Sequence, residues 1–403
     1  MGVIRSLPHP PPLSARAAPL KTGGGSNKKI MKKNLLFLLL FGQLVVAQKP
    51  QSWLLGTFVK QDRANPVLGP LSNTVFDCPV RGERVNWEEK DVFNPACVVR
   101  NGKIYMLYRA EDKVGKFAGT SRLGLAVSSD GLKFKRLPQP VFYPDNDALK
   151  KYEWEGGCED PRVVETEAGL YVMTYTAYDG DKARLCVATS LDLLKWQKHG
   201  LAFQNFIKST RDFWSKSGSI VCRKVGDRLV ATRINGKYWM YWGDVPQLYA
   251  ATSDDLINWQ PVVKINEASY QPANVSDVNC WSVASFRPGK HDYRLLEPGP
   301  PALLTKDGIV LIYNGMNDSQ NGDKTLPEGT YAAGQLLFNA ENPFELKDRS
   351  ENYFLKPDKN YEIAGQVNHV CFVEGLVSYH GKWFLYYGTA DSKIAVAVAK
   401  QKK

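Results

Sequence analysis

Five times along the chain the same three-part pattern returns, at a spacing of roughly 55 to 80 residues, and no other feature restricts the possible folds as much. Each copy opens with an apolar strand after a small or proline-containing turn. A glycine-led strand ending in an aromatic follows, and then an Ala/Ser-rich strand that closes on an Asp turn and often a Trp. The first copy runs from Asn94-Pro95 through Gly102–Tyr108 to Leu123–Asp130, and the second from Asp160-Pro161 through Gly169–Tyr175 to Ala188–Asp192 and Trp196. The third runs from Lys216 through Gly236–Trp242 to Ala251–Asp254 and Trp259. The fourth is carried by Gly299-Pro300-Pro301, Gly308–Tyr313 and Gly334–Phe338, and the fifth by Asn368–Val373, Gly381–Tyr387 and Ile394–Val398. Short strands rich in Val, Tyr, Trp and Ile, bounded by Gly, Asp and Asn, are the pattern of hairpin-linked antiparallel sheet. A period of this length points to propeller blades, so the expectation is an all-β, five-bladed β-propeller. Trp53–Trp87 precedes the first copy and is expected to wrap the disc or help close it. The insert Asn266–Tyr293 breaks the spacing and reads as a long loop on one face. The aspartates Asp130, Asp192 and Asp254 are read as turn residues only.

The formal charge of +11 on 403 residues invites a nucleic-acid or membrane reading. Seven of the basic residues, however, fall in residues 1–47, which contain no acid. The remainder holds 45 basic against 41 acidic residues, an ordinary balance for a globular domain, so nucleic acid is not an expected partner. Lys32-Lys33, the apolar run Leu35–Phe41 and Val45-Val46-Ala47 have the layout of a secretory signal. Residues 1–30 are read as sequence upstream of a natural start at Met31, residues 31–47 as a signal peptide cut after Ala47, and residues 48–403 as one catalytic domain, secreted or periplasmic. The apolar run is too short to span a bilayer core of about 30 Å, and no membrane span is expected elsewhere. Seven scattered cysteines and five histidines show no metal-ligand spacing, so neither a metal nor a cofactor is expected, and the cysteines read as small buried hydrophobes.

In a propeller the innermost strands converge, and polar residues at corresponding positions of the copies become neighbours. Collected this way, the candidates are Asn94, Arg109 with Glu111-Asp112, Glu159-Asp160 with Arg162, Lys216, Asp244, Glu297, Asn314 and Asp391. Acids dominate, and the chain shows no Ser/His pair or glycine-rich phosphate loop. An acid-rich pocket framed by aromatics is what glycoside hydrolysis needs: one carboxylic acid to protonate the leaving oxygen, and one carboxylate to activate water or attack carbon.

Five segments add specificity: Val92–Ala96, Tyr108–Asp112, Glu159-Asp160-Pro161-Arg162, Gly299-Pro300-Pro301 and Tyr386–Asp391. Together they resemble glycoside hydrolase family 130, five-bladed propellers acting on β-mannosides, over roughly Trp53 to Lys400. The resemblance implies that Asp160 is the catalytic acid and that Asn94, Arg109 and Asp391 hold the terminal mannose. Asp112, Arg162, Lys216 and Asn314 are carried as further substrate-binding candidates. The family divides into phosphorylases, which attack with phosphate, and inverting hydrolases, which attack with water. A phosphorylase needs converging cations. Where phosphorylases of the family carry a second Arg this chain reads Tyr241-Trp242-Gly243-Asp244; where they carry a His it has Asn314; and it adds Glu297 before Gly299. The resemblance therefore implies the hydrolytic, β-1,2-mannosidase branch, with Asp160 as proton donor and Glu297, with or without Asp244, as the base, and a β-mannoside oligosaccharide as substrate. The alternatives are a phosphorylase producing mannose 1-phosphate and a non-catalytic carbohydrate-binding propeller.

Overall fold

The repeat takes shape as successive antiparallel meanders. The computed structural model describes residues 51–206, 213–263 and 280–402. The expected upstream extension 1–30 and signal peptide 31–47 lie outside the described residues, as does residue range 264–279 of the long insert. The first meander is Asp91–Arg100, Lys103–Glu111, Ser121–Ser128 and a short outer Lys135–Arg136. The second is Gly157–Glu165, Tyr171–Tyr178, Ala183–Ser190 and Gln197–Leu201. The fourth places Leu295–Pro298 and Ala302–Thr305 on Gly308–Met316, followed by Tyr331–Phe338 and Leu346–Arg349. The fifth is Cys371–Tyr379, Lys382–Thr389 and Lys393–Lys400, and Val59–Lys60 adds to its edge with Val59 opposite Val398. The segment before the first copy thus joins the two ends of the domain by backbone hydrogen bonds. Among the described residues the only helices are the single turns Lys150–Glu153 and Asn360–Ile363, and the fold is nearly all β. No helix among them is long and apolar enough to cross a membrane.

The third copy departs from the simple pattern. Lys237–Trp242, Gln247–Ser253 and Trp259–Pro261 form the expected meander, but Ser219–Val225 meets Lys237–Trp242 only at Ser219 and Ile220. Beyond Ile220 it peels away into its own hairpin with Arg228–Ala231. The cause is local: Gly226-Asp227 makes a two-residue turn with Gly226 at φ 62°, a conformation glycine adopts without steric cost. The freed strand then runs parallel to Ala302–Thr305, with Val221 opposite Ala302, while Val230 bridges to Glu165. The opening strands of neighbouring copies are thereby packed side by side, which is what places their polar ends together.

One tyrosine recurs at the same place in every central strand: Tyr108, Tyr175, Tyr241, Tyr313 and Tyr386, none of them exposed. Each hydroxyl is satisfied by a different partner, namely Glu88, Glu153, the Pro343 carbonyl, Asp292 and the Gly131 carbonyl, at 2.6–3.0 Å. Full burial of such a ring stabilises only because its hydroxyl is paired. In two copies the facing position on the next strand is a glycine that makes room for the ring. It is Gly124 opposite Tyr108 and Gly334 opposite Tyr313, and a Cβ at either would sit 2.3–2.5 Å from the ring. All seven cysteines are buried and unpaired in this core.

The Asp turns follow a Ser-x-Asp rule. Ser128, Ser190 and Ser253 accept backbone N–H groups, and Asp130, Asp192 and Asp255 each accept two more. The third turn therefore uses Asp255, two residues after its serine, in place of the expected Asp254, which pairs with Lys237 on the surface.

Candidate active site

Two β-bulges start the site. The ladder slips between Phe93 and Pro95 and again between Glu159 and Arg162, where Pro95 and Pro161 have no N–H to offer. The bulged residues Asn94 and Asp160 sit at φ 45° and 46°, a strained region for side-chain-bearing residues that tends to mark functional positions. Both side chains leave the normal alternation and meet: Asn94 Nδ2 donates to Asp160 Oδ1 at 2.9 Å. Asp391, at φ 49°, and Ser217, at φ 60°, are held in the same unusual region.

Arg109 is the hub of one flank. Its guanidinium donates to Asp160 Oδ1 (3.0 Å), Glu159 Oε1 (2.9 Å), Glu111 Oε1 (2.8 Å) and Ser121 Oγ (2.9 Å), and lies 4.5 Å over the Phe93 ring. Lys216 Nζ approaches the other Asp160 oxygen at 3.1 Å. Burial by itself would favour the protonated form of Asp160, but the charges of Lys216 and Arg109 and the Asn94 hydrogen bond overcome it and hold this carboxyl far below the usual carboxylate range. The neighbouring Glu159 goes the other way: burial raises its pKa despite Arg109 and Lys216. Adjacent carboxyls driven apart in this way are a signature of acid–base sites.

The same pocket as Arg109 and Asp160 carries Glu297, which is 5% exposed and accepts a hydrogen bond from Ser217 Oγ. Burial, reinforced by the negative charge of Asp244, pushes its carboxyl up to about 7, against the pull of Lys216, Arg162 and Ser217. Asp391 is likewise pushed up to about 7, chiefly by burial and by the carboxylates of Asp160 and Glu111, with Arg109 opposing. Asn94, Arg109, Asp160, Lys216, Glu297 and Asp391 form the polar wall of one pocket of about 320 Å³. Phe93, Met316, Tyr331, Val367, Val370 and Phe372 form its apolar wall. That size is at the lower end of small-molecule sites, and a lining that mixes polar and apolar side chains suits a pyranose ring, which has both kinds of edge.

Four expected residues are not on that wall. Asp112 is fully buried, pairing with Arg122 at 2.7 Å and accepting the N–H groups of Val114 and Thr120, so it shapes a loop. Arg162 lies beneath the pocket, donating to the carbonyls of Gly299 (2.8 Å), Pro298 (2.7 Å) and Asp160 (3.2 Å) and pairing with Glu374 at 3.2 Å. Asn314 clasps both the N–H and the C=O of Val373, joining Gly308–Met316 to the opening strand of the fifth meander. Asp244 stands beside the pocket, both oxygens accepting from Trp214 Nε1 at 2.9 and 3.0 Å. A linear sequence shows which polar residues stand at blade ends, and it is the packing that decides which of them face the cavity and which brace it.

Sequence reasoning passed over Ser217, Tyr331, Met316, Val367, Phe372 and Glu374. Ser217 had a signal in its adjacency to Lys216, and Tyr331 in opening the strand Tyr331–Phe338 of the fourth copy. Nothing local distinguishes Glu374, a carboxyl with no exposure and no hydrogen-bond partner in the structure, which sits at the bulge of Cys371–Tyr379. Among the described residues no cluster of His, Cys, Asp and Glu is arranged to hold a metal ion.

Residues 60–403 match the glycoside hydrolase family 130 model, described as beta-1,4-mannooligosaccharide phosphorylase. The chain belongs to glycoside hydrolase family 130. Within family 130 it is 32% identical to the 1,2-beta-oligomannan phosphorylase of Thermoanaerobacter sp. (strain X514), over 78% of this chain and 92% of the relative. Among solved structures it is 46% identical to a glycosyl hydrolase from Bacteroides ovatus, with a TM-score of 0.81 over 88% of this chain and 98% of the other. It is also 46% identical, with a TM-score of 0.81 over 87% of this chain and 98% of the other, to a structure described with the words "the GH130 family of mannoside phosphorylases contains glycoside hydrolases that target beta-1,2 mannosidic linkages in Candida mannan".

Proposed function

We propose that this family 130 member is an exo-acting β-mannosidase that hydrolyses β-1,2-mannosidic bonds with inversion on a five-bladed propeller, each meander forming one blade. One observation carries the choice of hydrolysis. Both cations on the pocket wall are set against acids: Arg109 against Asp160, Glu159 and Glu111, and Lys216 against Asp160. Glu297 and Asp391 then add acid to the same wall. Among the described residues the two cations on that wall are outnumbered by its acids, and the surplus carboxylates would repel a phosphate carrying nearly two negative charges. The resemblance to solved glycosyl hydrolases, closer at 46% than the 32% to a named phosphorylase, supports the same reading.

In this mechanism Asn94, Arg109 and Asp391 hold the terminal mannose through its hydroxyls, while the apolar wall packs on its C–H face. A sugar seated between Asp160 and its cations takes over the contacts that keep Asp160 ionised, and burial, the largest influence on that carboxyl, then favours the protonated acid. Asp160 gives its proton to the leaving oxygen, directly or through a sugar hydroxyl. Glu297 takes a proton from water, and the water oxygen bonds to the anomeric carbon as the glycosidic C–O bond breaks. Lys216 contacts a sugar hydroxyl. Residues 31–47 act as a signal peptide cut after Ala47, residues 1–30 precede the start, and the mature enzyme works in the periplasm or outside the cell. There hydrolysis is the sensible chemistry, since a sugar phosphate conserves energy only inside a cell.

The test is incubation of purified protein with β-1,2- and β-1,4-mannobiose, each with and without phosphate. Free mannose released from the β-1,2 disaccharide at the same rate in both conditions is expected. Turnover that requires phosphate and yields mannose 1-phosphate would overturn the hydrolase reading.

A further inference from the structure

Trp214 is an exposed aromatic that the reaction scheme leaves unused. It belongs to the segment 213–217, whose side chains alternate in burial: Phe213, Ser215 and Ser217 are buried, while Trp214 is 39% exposed and Lys216 is half-buried. Phe213 packs on Phe203 and Trp242, and Ser215 is tied to the edge of Ala183–Ser190 by hydrogen bonds with Ala183 and Leu185. The alternation of burial puts Trp214 and Lys216 on the same, less buried side of the segment, and the Asp244 carboxylate that holds the indole lies in the field of Lys216 and Asp160. Lys216, two residues on, lines the pocket, and Trp214 stands next to that stretch of its wall.

Its orientation is held from the neighbouring turn. Gly243, at φ 122°, donates its N–H to the Lys216 carbonyl at 3.0 Å, which brings Asp244 alongside. Both Asp244 oxygens then accept the single indole N–H. An indole whose polar edge is satisfied presents two apolar faces, and among the described residues no ring or guanidinium stacks on either. A sugar one position beyond the catalytic carboxyls meets such a face with its C–H surface.

We propose that Trp214, clamped by Asp244, is the stacking platform for the pyranose ring on the leaving side of the scissile bond, and that Asp244 is its positioning residue. This deepens the mannosidase reading and rests on it. The clamp also assigns a task to Asp244 that is separate from activating water, which falls to Glu297.

The test compares β-1,2-mannobiose, whose leaving group is a ring, with β-mannosyl fluoride, whose leaving group is one atom. Trp214→Ala should lower kcat/KM on mannobiose roughly 10- to 100-fold more than on the fluoride, mainly through KM, with Trp214→Phe recovering most of the difference. Asp244→Ala should reproduce the Trp214→Ala ratio. Asp244→Asn, whose amide oxygen still accepts the indole N–H, should stay within a few-fold of wild type on both substrates. Equal losses on the two substrates in Trp214→Ala would eliminate the platform. A thousand-fold collapse of both in Asp244→Asn would place Asp244 in the chemistry and eliminate its positioning role. Wild type inactive on both substrates would instead defeat the mannosidase reading. In that case calorimetric binding of mannobiose to wild type and Trp214→Ala decides the platform, equal affinity removing it.

Discussion

Replacing Glu297 by Gln separates what this carboxyl does for the chemistry from what it costs the fold. Its pKa of about 7 against an ordinary 4.5 means that the folded protein binds this proton more tightly than the unfolded chain does. The stabilisation from that proton is complete below about pH 4.5 and is lost as the pH climbs through about 7. At 1.36 kcal/mol for each tenfold change in proton affinity, the interval corresponds to about 3 kcal/mol. Glutamine is neutral throughout, and its amide oxygen can still accept from Ser217. Asp391 titrates in the same range in both proteins, so its contribution cancels from the difference. Urea unfolding of wild type and Glu297→Gln, measured side by side from pH 4.5 to 8.5, should show the variant gaining on wild type by about 2–3 kcal/mol across that window, with the change centred between 5 and 7. Mannobiose hydrolysis should meanwhile fall roughly 10²- to 10⁴-fold. A stability difference that stays flat with pH would refute the argument that this carboxyl is buried against its own ionisation. Unimpaired hydrolysis would remove Glu297 as the base.

Further outcomes follow from the same geometry. Asp160→Asn should lower kcat about 10²- to 10⁴-fold while mannobiose still binds in calorimetry, because the amide keeps the pocket filled but has no proton to give. Arg162→Ala removes a buried guanidinium from three backbone carbonyls and from Glu374, whose carboxyl is pushed up by burial toward its neutral form, and should cost at least about 1–3 kcal/mol in urea unfolding. A loss below about 1 kcal/mol would show that these contacts contribute little. Gly124→Ala puts a methyl group 2.3 Å from the Tyr108 ring and should lower stability by roughly 1–3 kcal/mol, a loss that Tyr108→Ala in the same chain offsets in part if the clash is its cause.

The repeat, and with it the order of strands, was legible in the linear sequence because each copy carries its own local instructions. A glycine or Asp turn punctuates every strand, alternation sets its two faces, and a tyrosine recurs at the same buried register. The bulge residues Asn94 and Asp160 were legible for a related reason, since each precedes a proline that interrupts a strand. What the chain did not disclose was which polar residues at the strand ends look into the cavity. Asp112 and Glu111 are neighbours in sequence, yet one is consumed by Arg122 and two backbone N–H groups while the other braces Arg109. Arg162 follows Asp160 by two residues but points beneath it, because carbonyls from residues 298 and 299 and the carboxyl of Glu374 lie there. Asp244 stood out in the sequence as an acid where relatives carry a cation, and only the fold shows it holding an indole beside the pocket. The protonation behaviour of Glu297 and Asp391 belongs to the tertiary structure in the same sense. It is set by burial and by charges brought from distant copies, and no stretch of sequence contains either.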